Sequence, residues 1–425
     1  MDILLTIFWG LVVLIVLVVV HELGHFIAAR AFKVRVTEFM IGLPGPNIGF
    51  EHNGCKYGVT CIPLGGYNRI CGMESGPENP NLQKVLSYVW RHGKADTEHV
   101  SCACGLSEDD AFEALVVLDG WGSIVSPKRS NTKYYCAPKT QEYALGQARE
   151  VADEKVLLDS ERSHTCRGLS PWKRLVVLFS GPIANLLLAL IIFLVLFCVV
   201  GMPYATNTID SVVNNTPAAY AGLESDDVII AANGVSVNSL SDITNVLSTS
   251  GEDSEIVLEI ERDGQQLEKT IKPYKDTDGK LKLGFYAKQG SYRLNVVQGL
   301  QATWIFISGT IEAYSKLFNP ATIAETVSQS SSVVGISVMA KQAAGAGAFN
   351  LFYLLAIISL SLCVINLVPM PPLDGGKIVV EVIQKFIRRD IPARVINVIT
   401  VVVLVLLAVL FIAVLKNDIA RFIGG

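Results

Sequence analysis

Charge is in short supply in this chain: Asp, Glu, Lys and Arg make up only 17% of its 425 residues, where soluble domains carry roughly 25%. The hydrophobic share of 51% excludes a disordered chain. A net charge of −4 leaves no surplus of Lys and Arg to neutralise phosphates, so nucleic acid is not expected as a partner. Histidine is scarce too, with six in all, so a histidine pair at ligand spacing carries weight. The nine cysteines are odd in number and fall mostly in segments expected to be cytoplasmic or membrane-adjacent, which argues against a disulfide framework.

The missing charge is concentrated in four places. Residues 3–20, 175–200, 343–370 and 395–415 contain no Asp, Glu, Lys or Arg. At about 1.5 Å per residue each run spans roughly 27 Å or more as a helix, close to the hydrocarbon thickness of about 30 Å. Four transmembrane helices are expected. The first run has neither a basic stretch before it nor a small-residue cleavage site after it, so it is not read as a signal peptide. Arg30, Lys33 and Arg35 follow the first run, Arg167, Lys173 and Arg174 precede the second, and Lys385, Arg388, Arg389 and Arg394 precede the fourth. These clusters are expected in the cytoplasm. No Lys or Arg then occurs from 201 to 261, which fits an exported segment. Lys416 and Arg421 count against this layout but are outnumbered. Both termini and residues 203–342 are therefore expected outside.

Between the helices, residues 51–75 read as a membrane-associated β-hairpin and 76–166 as a polar insert. Residues 203–280 read as a small α+β domain with turns at Asn233-Gly234 and Asp263-Gly264. Residues 281–342 read as a linker with an amphipathic helix near Gly299–Phe318.

The chemistry is expected where the first run ends, at His21-Glu22-Leu23-Gly24-His25. Residues four apart share a helix face, so both imidazoles can bind one metal ion, and Glu22 can take a proton from water there. A polar helix end with two histidines reaching for the interface is the plainer alternative. Ionisable groups at membrane depth are costly and usually functional, which favours the metal. A third ligand is needed, and Asp374, in Leu373-Asp374-Gly375-Gly376, is the first carboxylate after the third run. Taken alone it could equally be a helix stop with an Asp capping the next helix, and the histidine motif favours the ligand. The prolines at 369, 371 and 372 are expected to stop the helix, and the glycines to let the backbone turn tightly around the carboxylate.

Taken together, these motifs resemble the site-2 proteases, intramembrane zinc metalloproteases. The resemblance rests on His-Glu-x-x-His at 21–25, Pro-Leu-Gly-Gly-Tyr at 63–67, Ser-Gly-Pro-Ile-Ala-Asn at 180–185 and the stretch from Asn366 to Gly375. It is strongest to the bacterial four-helix branch with an extracytoplasmic PDZ domain, for which Pro217–Leu223 and Asp226–Ile229 also speak. The implied fold is a multi-pass α-helical membrane protein with four transmembrane helices, a membrane-associated β-hairpin and an inserted α+β PDZ domain. The resemblance implies Zn2+ bound by His21, His25 and Asp374, with Glu22 as general base. It implies substrate contacts by Asn366, Gly65, Gly66 and Tyr67. Expected partners are single-pass transmembrane proteins or signal peptides, together with membrane lipid, in the bacterial inner membrane with the active site near the cytoplasmic face. A PDZ-containing scaffold would need neither metal motif, and a metal transporter would show two related halves, which are absent from the sequence.

The resemblance is not expected to extend through 76–166, where members of the family have a short linker. This segment holds Cys102, Cys104, Cys136 and Cys166, with His92, His99 and His164 nearby. A second zinc drawn from Cys102, Cys104, His164 and Cys166 matches no standard finger spacing. A small reduced subdomain or a disordered insert is the expectation.

Overall fold

Helix α1, Asp2–Ala31, does not stop where its uncharged run stops. It continues through both histidines, so the His-Glu-x-x-His motif lies inside the helix rather than at its end. Gly10, Val13, Leu17, His21, His25 and Ala29 form its buried stripe, at the three- and four-residue spacing of one helix face. The computed structural model describes residues 2–62, 65–73, 77–126, 134–250, 254–275 and 281–423.

Four strands follow: β1 (Val36–Ile41), β2 (Asn47–His52), β3 (Cys55–Thr60) and β4 (Gly66–Ile70). They form one sheet in the order β2-β3-β1-β4, so β4 is an edge. The expected hairpin over 51–75 is thus part of a larger sheet that begins at Val36. Its hairpin, β2–β3, turns at Asn53-Gly54, where φ is positive at both residues (48° and 71°). Because β1 pairs with β3 in parallel and with β4 antiparallel, hydrophobic alternation in one short window could not reveal the whole sheet. Pro63 and Leu64 of the 63–67 motif lie outside the described residues.

The insert is a folded domain: α2 (Leu82–His92), β5 (Lys94–Ala95), α3 (Thr97–Cys104), α4 (Glu108–Gly120), β6 (Tyr135–Cys136) and α5 (Glu154–Ser163). Asp96 caps α3 by accepting from the His99 N–H, and Ser107 caps α4 by accepting from that of Asp110. Val85, Leu86, Val89, Leu115, Leu118 and Trp121 are completely buried in its core. A core of that kind excludes the disordered alternative. Cys166 is not part of it, packing instead with Val36, Cys55 and Ile70 under the first sheet. Among the described residues, the cysteines and histidines of the insert form no metal-binding cluster.

Helix α6, Pro171–Leu194, continues as a π-helical turn to Val200 and leads into a second compact unit, residues 194–302. Its elements are β7 (Met202–Val212), α7 (Pro217–Tyr220), β8 (Val228–Ala232), β9 (Val235–Ser236), α8 (Leu240–Thr249), β10 (Ile256–Arg262), β11 (Gln265–Ile271), β12 (Tyr274–Lys275), β13 (Leu281–Lys282) and β14 (Phe285–Tyr292). The main sheet runs β11-β10-β8-β7-β14. Asn233-Gly234 and Asp263-Gly264 both turn with positive φ, as a tight hairpin requires. Strand β14 extends this domain to Tyr292, past the expected boundary at 280, because it pairs along nearly the whole of β7.

Within this unit Asp227 is fully buried and takes a two-point hydrogen bond from the Arg262 guanidinium at 2.6 and 2.7 Å. Burial alone would raise its pKa, but Arg262 and the Glu224 N–H together hold it below the ordinary value of 3.8. A depressed carboxylate stabilises the fold above its unfolded pKa, and this contribution is lost as the pH falls from there through the folded pKa. Arg262→Leu is expected to destabilise the domain by about 3–5 kcal/mol, because it leaves the buried carboxylate without its cation and with only the Glu224 N–H bonded to it. Denaturant unfolding at neutral pH and near pH 3 checks this, since the gap between variant and parent must shrink in acid.

The remaining helices are α9 (Val296–Ser315), α10 (Ile323–Gln329), α11 (Val333–Gly345), α12 (Ala348–Asn366), α13 (Asp374–Ile387) and α14 (Ala393–Ile423). The uncharged run 343–370 is not one helix. It is broken between α11 and α12 at Gly347, whose φ of 112° suits only glycine. Helices Asp2–Ala31, Pro171–Val200, Ala348–Asn366 and Ala393–Ala420 are long and apolar enough to cross a membrane. Asp418 of α14 accepts from the Ser332 N–H at 2.6 Å and so supplies negative charge at the N-terminus of α11. Helix α11 in turn crosses α1 where Gly10 meets Ser337, with no room for a side chain at Gly10.

Candidate metal centre

The site is assembled by three helices. The imidazoles of His21 and His25 project from one face of α1, and Asp374, the first residue of α13, meets them. His21 Nε2 and His25 Nε2 each lie 3.1 Å from the same Asp374 carboxylate oxygen and 3.3 Å from each other. All three side chains are buried. Among the described residues this is the one group of three or more His, Cys, Asp or Glu that could hold a metal ion.

Their hydrogen bonds test whether a cation belongs there. His25 Nδ1 donates to the Val177 carbonyl of α6 at 2.8 Å, and a carbonyl only accepts, so Nδ1 carries the proton and Nε2 offers a lone pair. His21 Nδ1 lies 3.2 Å from the Asn185 side-chain nitrogen, while the buried Asn185 Oδ1 lacks a hydrogen-bond partner. Turned by 180°, that amide accepts from Nδ1–H and gives His21 the same inward lone pair. Two lone pairs and a carboxylate oxygen then converge on one point. Tetrahedral zinc with bonds of about 2.0–2.1 Å spaces its ligand atoms by roughly 3.3 Å, so the donor set fits.

Glycine explains how helices come this close. A Cβ on Gly24 would lie 2.3 Å from the Ser180 carbonyl oxygen, and one on Gly181 would lie 2.2 Å from His25 Nε2. The stretch 180–185 therefore fits α6 against the two histidines, and Ser359 of α12 fastens it from behind by donating to the Asn185 carbonyl at 2.8 Å. Gly375 and Gly376 have a different reason from the expected tight turn. Neither has positive φ, and both lie in the first turn of α13 against the backbone of 367–371, where a Cβ would come within 2.4 Å. Their role is close packing, which positions Asp374.

Glu22, next to His21, is half-buried against β4: the Asn68 side chain donates to its backbone carbonyl, and a Cβ on Gly66 would stand 3.6 Å from its Cγ. Gly65 turns the chain into β4 with φ of 93°. Tyr67 gives its hydroxyl to Glu38 of β1 at 3.0 Å, and Asn366 is the half-buried last residue of α12. Asn185, Val177 and Asn68 have no task that the sequence motifs assign. Asn185 had a signal, as the only amide in the run 175–200. Val177 acts through its backbone and had none.

Known proteins are similar to this chain along nearly its whole length. The profile of peptidase family M50 matches residues 9–410. A Lactococcus lactis protein named as a zinc metalloprotease is 28% identical, over 96% of this chain and 96% of its own. An Enterococcus faecalis protein named as a protease, eep, is 29% identical over 98% and 99%. Matches of that extent cover the insert, so a short linker at 76–166 is not the rule among these relatives, contrary to expectation. A solved PDZ domain of an SdrC-like protein from Listeria monocytogenes aligns with 19% of this chain and 86% of its own, at 19% identity and a TM-score of 0.18. With its profile matched over nearly the whole chain, the protein belongs to peptidase family M50, the site-2 proteases, as a zinc-dependent metallopeptidase of the bacterial membrane.

Proposed function

We propose that the chain hydrolyses peptide bonds inside the transmembrane segments of single-pass membrane proteins, or within remnant signal peptides. The observation that carries this is a buried His-His-Asp cluster whose histidines lie on an apolar helix long enough to cross a membrane, beside the edge strand of a sheet. His21, His25 and Asp374 would hold the zinc. Zinc supplies a Lewis acid for the scissile carbonyl and lowers the pKa of a water. Glu22 takes the proton from the attacking water and delivers it to the leaving amine. A helix keeps its peptide groups bonded internally, so the substrate must first be unwound. The open edge of β4 suits the extended segment, which adds as a further strand next to Glu22. Gly66 favours this, since the strand runs too close to α1 for any side chain there. Tyr67 supports β4 through Glu38 instead of touching substrate with its hydroxyl, and Asn366 contacts the substrate backbone or the attacking water. Lys and Arg at the helix ends support a cytoplasmic active site. The 202–292 domain, read as PDZ, lies outside and admits only substrates already trimmed there.

The test is direct. Purified protein in detergent, given a single-pass substrate, is expected to release fragments whose new ends fall inside the apolar segment, identified by mass spectrometry. A zinc chelator stops the reaction and added zinc restores it. Cleavage confined to soluble flanks, or indifferent to chelation, would overturn the reading.

A further inference from the structure

The insert has the element order and strand pairing of a winged helix-turn-helix. Helix α2, strand β5, helices α3 and α4, the bridge at Val125 and strand β6 follow one another, with β6 pairing to both Lys94-Ala95 and Val125. The α3–α4 turn passes through Gly105 at φ of 66°. In such motifs the second helix of the pair reads the DNA major groove. Here that helix has the wrong charge: from Asp96 to Asp119 there are seven acidic residues and no Lys or Arg. Phosphate would be repelled. Glu108, Asp109, Asp110 and Glu113 are exposed on α4, and between them Phe112 and Val116, four apart on one face, are 49% and 47% exposed. An apolar pair framed by carboxylates suits a basic, partly apolar peptide.

The location says which one. Arg35, just beyond α1, donates to the Trp121 carbonyl at 2.9 Å and to the Glu161 carboxylate at 3.0 Å, so the C-terminal end of α4 is fastened to the chain leaving the metal-binding helix. The acidic face therefore belongs to the membrane side of Arg30, Lys33 and Arg35, which the flanking charges assign to the cytoplasm. Single-pass membrane proteins carry their excess of Lys and Arg on that side. We infer that α4 docks the basic cytosolic flank of the substrate, a recognition step that rests on the intramembrane-protease reading and adds a specificity element to it.

The full chain, in detergent, is given three substrates that differ only in the cytosolic flank: Lys/Arg-rich, neutralised to Gln, and Glu-rich. The native chain is expected to show a KM about tenfold lower for the basic flank than for the neutral one, with the difference erased by high salt. In the variant Asp109→Lys/Glu113→Lys the preference moves to the Glu-rich flank, while the neutral substrate is cleaved as before. A gained preference cannot come from misfolding. Phe112→Ser is expected to raise KM for the basic flank alone. Equal KM for all three flanks in the native chain, or an unchanged preference in the charge-reversed variant, overturns the inference. Loss of the protease reading looks different, because then the neutral substrate is not cut within its apolar segment by any form.

Discussion

Glu22→Gln is expected to bind one zinc per chain and to cleave a transmembrane substrate about a thousand-fold or more slowly than the parent. The carboxylate is absent from the proposed ligand set of His21, His25 and Asp374, the cluster that could hold the ion. Nor does the local structure depend on its charge, since Asn68 bonds to the backbone carbonyl of residue 22, and even a Cβ on Gly66 would stand 3.6 Å from its Cγ. Gln keeps the shape and removes the proton acceptor. Metal analysis and a cleavage assay on one preparation check the result. Full activity would remove Glu22 from the role of base, and loss of zinc would mean that it is needed to build the site.

Gly181→Ala is expected to do the opposite, losing metal first and activity as a consequence. The single added carbon would stand 2.2 Å from His25 Nε2 and 2.7 Å from its Cδ2, a distance that van der Waals repulsion forbids. The imidazole must swing away, giving up its 2.8 Å bond to Val177 and its place in the ligand set. Zinc affinity is expected to fall by about a hundred-fold, the upper range seen when a ligand loses its orienting partner. Excess zinc should recover part of the activity, which it cannot do for Glu22→Gln. An alanine variant with full zinc and parental affinity would mean that α6 does not hold His25 in place.

Much of this site was legible in the sequence because its signals are local. His21, Glu22 and His25 declare themselves by helical spacing, and Asp374 by following a long uncharged run. What could not be read depends on partners far along the chain. The edge position of β4 requires knowing that β1, 34 residues earlier by register at Val36↔Ile70, pairs with it. Strand β14 becomes visible only through β7. The break at Gly347 was hidden because absence of charge says nothing about backbone conformation. Gly375 and Gly376 were recognised as necessary, but for the wrong reason, since sequence cannot separate a glycine needed for φ from one needed for contact. The fold of the insert was missed because its amphipathic helices are short and its core is assembled from all of them.

Strand β4 lies at one edge of its sheet. A partner strand added there would be held through main-chain N–H and C=O groups, which every sequence offers alike. Residue identity would then matter mainly through its effect on leaving the helix: Gly, Pro and polar residues in a membrane segment lower the cost of exposing its peptide groups. Such an enzyme would rank its substrates by the fragility of their helices, and would pass over a firmly wound leucine helix even when it lay against the open strand.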